Sequence, residues 1–267
     1  MKGHLELVCG LGAGGRSQLG HQSFSAPMHI SKPHLDGDTL VVNVVNPTAG
    51  LFEGDEVDCK VGVEAGARLL LTSPSATRAH SMAKGGEARL TQHFSVAGEG
   101  WLEVLPEIFI PQAGARYRQR TTIELEEGGG MLFFETLAPG RVASGEVFGF
   151  QYLDWETDIF YAGGRVAREK YHVSPAGLTA FRRQFPTGYY ACIFLFHPKI
   201  TPESACWEAM GTLHDESTWI GHSRLHGHGW SIKLLVADSV RFRRAIHAVR
   251  GLCHEAMGRK APDLRRQ

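Results

Sequence analysis

The chain has 267 residues, 43% of them apolar and 21% charged, which supports a packed core and excludes intrinsic disorder. Its 28 basic and 28 acidic residues cancel to zero formal charge. Its 32 glycines are scattered rather than spaced in threes, which excludes collagen and predicts many tight turns between short strands.

In chain order, an apolar run Leu5–Cys9 leads into Gly10-Leu11-Gly12-Ala13-Gly14-Gly15. That segment matches GxGxxG, but Arg16 to Pro27 has no helical period, so a strand-to-strand turn is predicted rather than a dinucleotide site. Thr39–Val45 reads as a β-branched strand stopped by Asn46-Pro47. Val57, Cys59, Val61 and Val63 alternate with polar or small residues, the pattern of a half-buried strand, and Leu90, Phe94 and Val96 repeat it. Further strands are predicted at Thr121–Leu125, Met131–Leu137, Val147–Leu153, Gly188–Phe196 and Trp230–Val236.

Three segments resemble one another. Val63-Glu64-Ala65-Gly66-Ala67, Val96-Ala97-Gly98-Glu99-Gly100 and Leu125-Glu126-Glu127-Gly128-Gly129 each join two strands, at spacings near 30 residues. That recurrence predicts a mainly β fold of stacked, solenoid-like sheet layers, the alternative being ordinary hairpins in a β-sandwich. Two α-helices are predicted near the C-terminus. One opens at Thr201-Pro202-Glu203 and buries Ala205, Cys206, Ala209, Met210 and Leu213. The other opens at Asp238 or Ser239, carries the stripe Ile246, Val249, Cys253 and Ala256 or Met257, and stops at Gly258. No linker is evident, so one domain over 1–267 is predicted, β-rich to 200 and helix-containing from 201 to 267.

Five widely spaced cysteines without a CxxC fit neither a disulfide framework nor a zinc ribbon and point to the cytoplasm. The N-terminus lacks an apolar signal core, and no apolar run reaches the ~20 residues that span a bilayer. From Arg241 to Gln267, eight basic residues face only Glu255 and Asp263. Without interleaved aromatics, this favours a solvated helix face or protein-docking surface over nucleic-acid binding.

Candidate chemistry falls in three glycine-flanked groups of acids and hydroxyls: Asn46–Asp55, a compact turn closing on Asp55; Leu71–Arg78, containing Thr72 and Ser73; and Glu135–Phe148. Glu135 stands inside an otherwise apolar strand, so it either pairs with a cation such as Arg141 or lines a wet interior. Oxygen ligands of this kind hold a divalent ion loosely through its waters. A second candidate is the histidine-rich stretch His214, His222, His226 and His228, whose His222-x₃-His226-x-His228 spacing is superficially that of a metal-dependent hydrolase. The surrounding glycines make it an exposed loop without fixed ligand geometry. There is no GxSxG elbow and no Ser-His-Asp or Cys-His set.

At the three acid-and-hydroxyl motifs the sequence resembles the UreD (UreH) family of urease accessory proteins. That family shows NPxGGLxGGD, an LTTQAATK-like run, an LPQ/IP segment and ExxxxGRxAxGExF. Here these stand, in order, as Asn46–Asp55, Leu71–Arg78, Leu105-Pro106-Glu107 with Ile110-Pro111, and Glu135–Phe148. Gly15–Leu19, Ala26-Pro27-Met28 and Gly258–Pro262 extend the resemblance over nearly the whole chain, with departures at Ala49, Glu53, Pro74 and Glu107.

The resemblance implies a non-enzymatic chaperone that joins a UreF-like protein and a UreG-like GTPase and contacts apo-urease. It implies no tightly bound cofactor, and transient Ni²⁺ passing through a water-filled internal tunnel. Carried over by motif, Asp55 and Glu135 would supply the metal-attracting charge along that path, and Thr72 and Ser73 would line it.

Overall fold

The computed structural model describes residues 1–264. It is mainly β, with the chain wound in stacked layers between two large sheets. The opening strands are β1 (Lys2–Leu11) and β2 (Ser17–Ser25), an antiparallel pair. The GxGxxG segment therefore forms the turn between strands that its lack of a following helix predicts. Three shorter strands follow: β3 (His29–Ile30), β4 (His34–Asp36) and β5 (Thr39–Val45).

Next come the coils. The first holds β6 (Glu56–Val63), β7 (Arg68–Thr72) and β8 (Thr77–Ala79). The second holds β9 (Ala88–Val96), β10 (Trp101–Leu105) and β11 (Phe109–Pro111), and the third β12 (Arg116–Leu125) and β13 (Gly130–Leu137). The chain continues through β14 (Tyr152–Tyr161), β15 (Gly164–Val173), α1 (Thr179–Gln184), β16 (Tyr189–Phe196), α2 (Cys206–Gly211), β17 (Thr218–Arg224), β18 (Trp230–Val236) and α3 (Ser239–Ala256).

The coils stack in parallel register. Val57 of β6 lies beside Leu90 of β9 on one sheet, and Leu69 of β7 lies beside Leu102 of β10 on the other, the same 33-residue offset. Leu90 beside Gln119 and Leu102 beside Met131 repeat the agreement at 29 residues. The near-30-residue recurrence is thus one coil of a solenoid and not a run of hairpins. At each corner an N–H reaches back three residues to a carbonyl, Ala67 to Glu64, Gly100 to Ala97 and Gly129 to Glu126. The third residue of each turn is left-handed: Gly66 at φ 71°, Glu99 at 61° and Gly128 at 81°. That backbone sends the chain from one sheet to the other.

The seven-stranded sheet runs β15-β14-β12-β9-β6-β1-β2; the larger one runs β17-β18-β16-β13-β10-β7-β5-β3, with β4, β8 and β11 attached at its margin. Alternate side chains from each sheet meet in an inter-sheet core that includes Leu5, Val61, Phe94, Ile123, Phe133 and Phe194. The outer face of the larger sheet is buried too, because α3 lies across it. Phe242, Ile246, Val249, Cys253 and Met257 pack there on Leu132, Phe134, Ile193 and Ile232. Each such fully buried side chain contributes about 1.5–3 kcal/mol. This double burial explains why Met131–Leu137 reads as a continuous apolar run. The side chain of Asp238 caps α3 by accepting from the N–H groups of Val240 and Arg241 at 3.0 and 2.8 Å.

Some expectations differ in detail. Val147–Leu153 does not form a strand: Phe148 is left-handed at φ 52°, and β14 begins only at Tyr152. The hairpin arm β15 and the short helix α1 carry no clear periodicity and were not predicted. The first predicted C-terminal helix, α2, is only one and a half turns and starts later than Thr201. Within the basic segment, Arg250 is not solvated but buried against Glu103 of β10, and Arg265 and Arg266 lie outside the described residues. All five cysteines are buried and free. Among the described residues no helix is long and apolar enough to cross a membrane.

Candidate functional site

Between the two sheets lies a cavity of about 160 Å³. Glu135 of β13 projects into it, and Gln92, Gln119, Thr72, Ser73 and Thr136 are among the residues that line it. The strand period decides this: Glu135 shares the inward face of β13 with Met131 and Phe133, so an acid stands where the core expects an apolar group.

Glu135 is only 4% exposed and has no cationic partner among the described residues; Arg141, one of the two expectations for it, pairs with Glu146 instead. Its Oε1 accepts from the Thr157 hydroxyl at 2.6 Å, the Trp155 indole N–H at 2.8 Å and the Gln119 amide at 3.4 Å. Its Oε2 is buried and accepts no hydrogen bond. Burial pushes the carboxyl up from its ordinary range to about 7, although the hydrogen bonds from Thr157 and Trp155 pull the other way. A hydrogen-bonded chain extends from it. The Tyr117 hydroxyl donates to Gln119 at 2.8 Å, Gln119 donates to Thr121 at 3.2 Å, and Thr121 donates to Gln92 at 3.1 Å.

Thr72 and Ser73 sit at the end of β7, on the same cavity. The Thr72 hydroxyl donates to the Leu105 carbonyl at 2.6 Å, and the Ser73 hydroxyl accepts from the Glu107 N–H at 2.8 Å. These bonds tie the strand end of one coil to that of the next. Ser75, Ala76, Pro106, Glu107 and Thr136 also border a second hollow under Phe242, Ile246 and His247 of α3, so the two spaces adjoin.

Asp55 is placed elsewhere. One carboxylate oxygen lies 2.7 Å from the Met1 ammonium and the other accepts from the Phe52 N–H at 2.8 Å. It does not line the cavity, but it holds the turn whose Asn46 and Leu51 do. Glu53, one of the departures from the family pattern, accepts from the Lys84 N–H at 3.0 Å and the Gly86 N–H, anchoring the turn to the next loop.

The histidines do not converge. His222 lies on β17 rather than in a loop and stacks on Trp207 at 4.5 Å, and His228 stacks on Tyr161 at 4.3 Å. Among the described residues no three His, Cys, Asp or Glu side chains stand together as a metal site. The hydrolase alternative built on His222, His226 and His228 therefore lacks its ligand set, because aromatic stacking directs two of the three rings apart.

Of the residues at this cavity, the sequence singles out Glu135, Thr72 and Ser73, and it does not single out Gln92, Gln119, Thr121, Trp155 and Thr157. A signal existed. Tyr117, Gln119, Thr121, Ile123 and Leu125 alternate as the buried face of β12, with polar groups at two core positions. What results is a space lined by two carboxylates, Glu135 and Glu107, amid hydroxyls and amides, which among the described residues is short of the donors that hold a metal tightly.

Residues 1–267 match the family described as UreD urease accessory protein. The chain is 39% identical over 268 residues to a urease accessory protein UreD of Opitutus terrae, covering 99% of this chain and 98% of that one. It is 36% identical over 174 residues to that of Deinococcus radiodurans, 65% and 62% of the two chains. With that of Acetivibrio thermocellus the figures are 28% over 244 residues, 90% and 93%. A match along the whole length makes this chain a member of the UreD urease accessory protein family.

Proposed function

We propose that this chain is a non-enzymatic nickel-insertion chaperone, guiding Ni²⁺ through the inter-sheet cavity toward apo-urease in the cytoplasm. It does so in a complex with a UreF-like protein and a UreG-like GTPase, the partners that family resemblance supplies. The observation that carries the reading is Glu135: a buried carboxylate with an unpaired oxygen, titrating near neutrality, beside a hydroxyl- and amide-lined space. Glu135 attracts a hydrated divalent ion without completing a chelate, and among the described residues no group of three such ligands stands together. A conduit needs that balance, since binding must be strong enough for entry and weak enough for exit. Thr72 and Ser73 supply exchangeable oxygen contacts along the way, and Asp55 acts by holding the Asn46–Asp55 turn.

The test is urease activation at limiting nickel by complexes carrying Glu135→Gln, which keeps the shape and the hydrogen-bond acceptor. Activation falls while co-purification of the partners is unchanged. Undiminished activation by this variant overturns the reading.

A further inference from the structure

The two sheets leave one flank of the solenoid open. The seven-stranded sheet ends there at β2, and the larger one at β3 and β4, both of which pair with β5. Two contacts bridge the flank near the ends of β2. The Ser17 hydroxyl donates to the Asp38 carbonyl at 2.8 Å, and the Phe24 ring meets the His29 ring edge-on at 5.0 Å. Between them lies a groove of about 610 Å³, lined by residues 18–22 of β2 and by Pro33, His34, Leu35 and Leu40. The register of β1 shows which main-chain groups of β2 are free. The Met1 and Cys9 carbonyls each accept at 2.8 Å from the N–H groups of Glu56 and Glu64 at the two ends of β6, so odd-numbered residues of β1 bond toward β6 and even-numbered ones toward β2. Ser25, Ser23 and His21 therefore bond to His4, Glu6 and Val8. The N–H and C=O groups of Gln22 and Phe24 point the other way, where no further strand of the sheet lies.

Free edges invite pairing, and the other edges are blunted. β15 carries Arg165, Arg168 and Lys170, Pro33 interrupts the margin between β3 and β4, and on β17 the Ile220 N–H faces the His214 ring at 3.5 Å. β2 has no acid, lysine, arginine or proline over its nine residues. We propose that β2 is a docking edge for an extended, uncharged segment of a partner protein, which adds a short strand to the seven-stranded sheet in this groove. Three observations specify that occupant. Main-chain donors and acceptors at alternate positions of β2 are matched by the main chain of another strand and not by a helix, whose own groups bond internally. Neither wall of the groove carries an acid, lysine or arginine, so a charged side chain of the occupant would lose water without gaining a partner. Leu19, Leu35 and Leu40 offer apolar contact to every second side chain, and the buried His34 Nε2 beside them has no hydrogen-bond partner. A run of about five residues matches positions 18–22 of β2. A second copy of this chain is the poorer fit, because its own β2 comes with a wall of residues 33–35 that would claim the same space.

The experiment uses the full chain and one synthetic probe, the peptide acetyl-Val-Thr-Val-Thr-Val amide, with amide hydrogen exchange read by NMR. With the peptide near saturation the Gln22 and Phe24 amides exchange about tenfold more slowly, and the amides of β17 do not change. The same peptide N-methylated at every residue protects neither, because it has no main-chain donor and its methyl groups block the edge. Gln22→Pro removes one outward N–H without touching the ladder to β1, so the variant keeps its Tm and the peptide no longer protects Phe24. Gln22→Lys, a charge at an exposed position of the groove, weakens peptide binding severalfold and serves where proline disturbs β2.

Unchanged exchange at Gln22 and Phe24 overturns the proposal. So does equal protection by the N-methylated peptide, which signals apolar contact without strand addition, and so does a Gln22→Lys variant that binds the peptide as tightly as the unaltered chain. If sedimentation finds a dimer that Gln22→Pro converts to a monomer, the edge belongs to a second copy and the proposal falls.

Discussion

Arg250 of α3 and Glu103 of β10, 147 residues apart in sequence, meet in an ion pair buried on both sides. The Arg250 Nη2 also donates to the Pro262 carbonyl at 3.0 Å, and the His254 ring stands 3.0 Å from the second Glu103 oxygen. Burial raises the Glu103 carboxyl, but the His254 hydrogen bond and the Arg250 charge prevail and hold it below its ordinary range. The pair pins α3 to the solenoid. Arg250→Met leaves Glu103 buried without its guanidinium, with only the His254 ring beside it, at a cost of ~3–5 kcal/mol. Thermal unfolding should show a fall in Tm on the order of 10 °C, and Glu103→Leu added to Arg250→Met should recover most of it.

The pH dependence of stability should carry the mark of Glu135. Its carboxyl is raised from 4.5 to about 7 in the folded state, so between those values the native protein holds a proton that the unfolded chain has released. Stability from this group is therefore fully present below pH 4.5 and is lost as pH rises through 7, by roughly 3 kcal/mol. Glu135→Gln removes the dependence. Denaturant titrations should find the variant more stable than the unaltered protein at pH 8 and not at pH 4.5. Trp155→Phe deletes a donor to the charged form and should move the Glu135 titration, read by carbon NMR of the carboxyl, further upward.

Gly50 belongs to the turn that borders the cavity. Its φ is 143°, and a Cβ there would stand 2.4 Å from the Arg78 carbonyl oxygen. Gly54 in the same turn has φ 78° with open space around it. Gly54→Ala should cost about 1 kcal/mol from backbone strain alone, and Gly50→Ala about 2–3 kcal/mol, because the neighbouring strand must also move. Chemical denaturation of the two variants side by side separates strain from clash.

Much of the fold was legible because its signals are local. Alternation at Val57–Val63 marks a strand with one face buried, and the recurring turn Glu64–Ala67 marks a coil corner. Thr39–Val45 and Trp230–Val236 agree with β5 and β18 to the residue. The hairpin of β14 and β15 was not legible, since Arg165, Arg168 and Lys170 on its outer face answer to Asp158 and Glu156 across strands rather than to a period. At the site, Glu135 stood out as a charge in an apolar run. Its partners Trp155 and Thr157 did not, because only the stacking of β14 beside β12 brings them near. Asp55 illustrates the converse. Its position in a motif suggested the cavity, while its hydrogen bonds to the turn keep it out.

The clasp of α3 also sets the order in which the protein can be completed. The outer face of the larger sheet, with Leu132, Phe134, Ile193 and Ile232, is made before the helix that covers it has left the ribosome. Until α3 docks, that apolar surface has nothing from its own chain to cover it. Docking of α3 is therefore the step that closes this face of the core, and the solenoid without it is an unfinished surface.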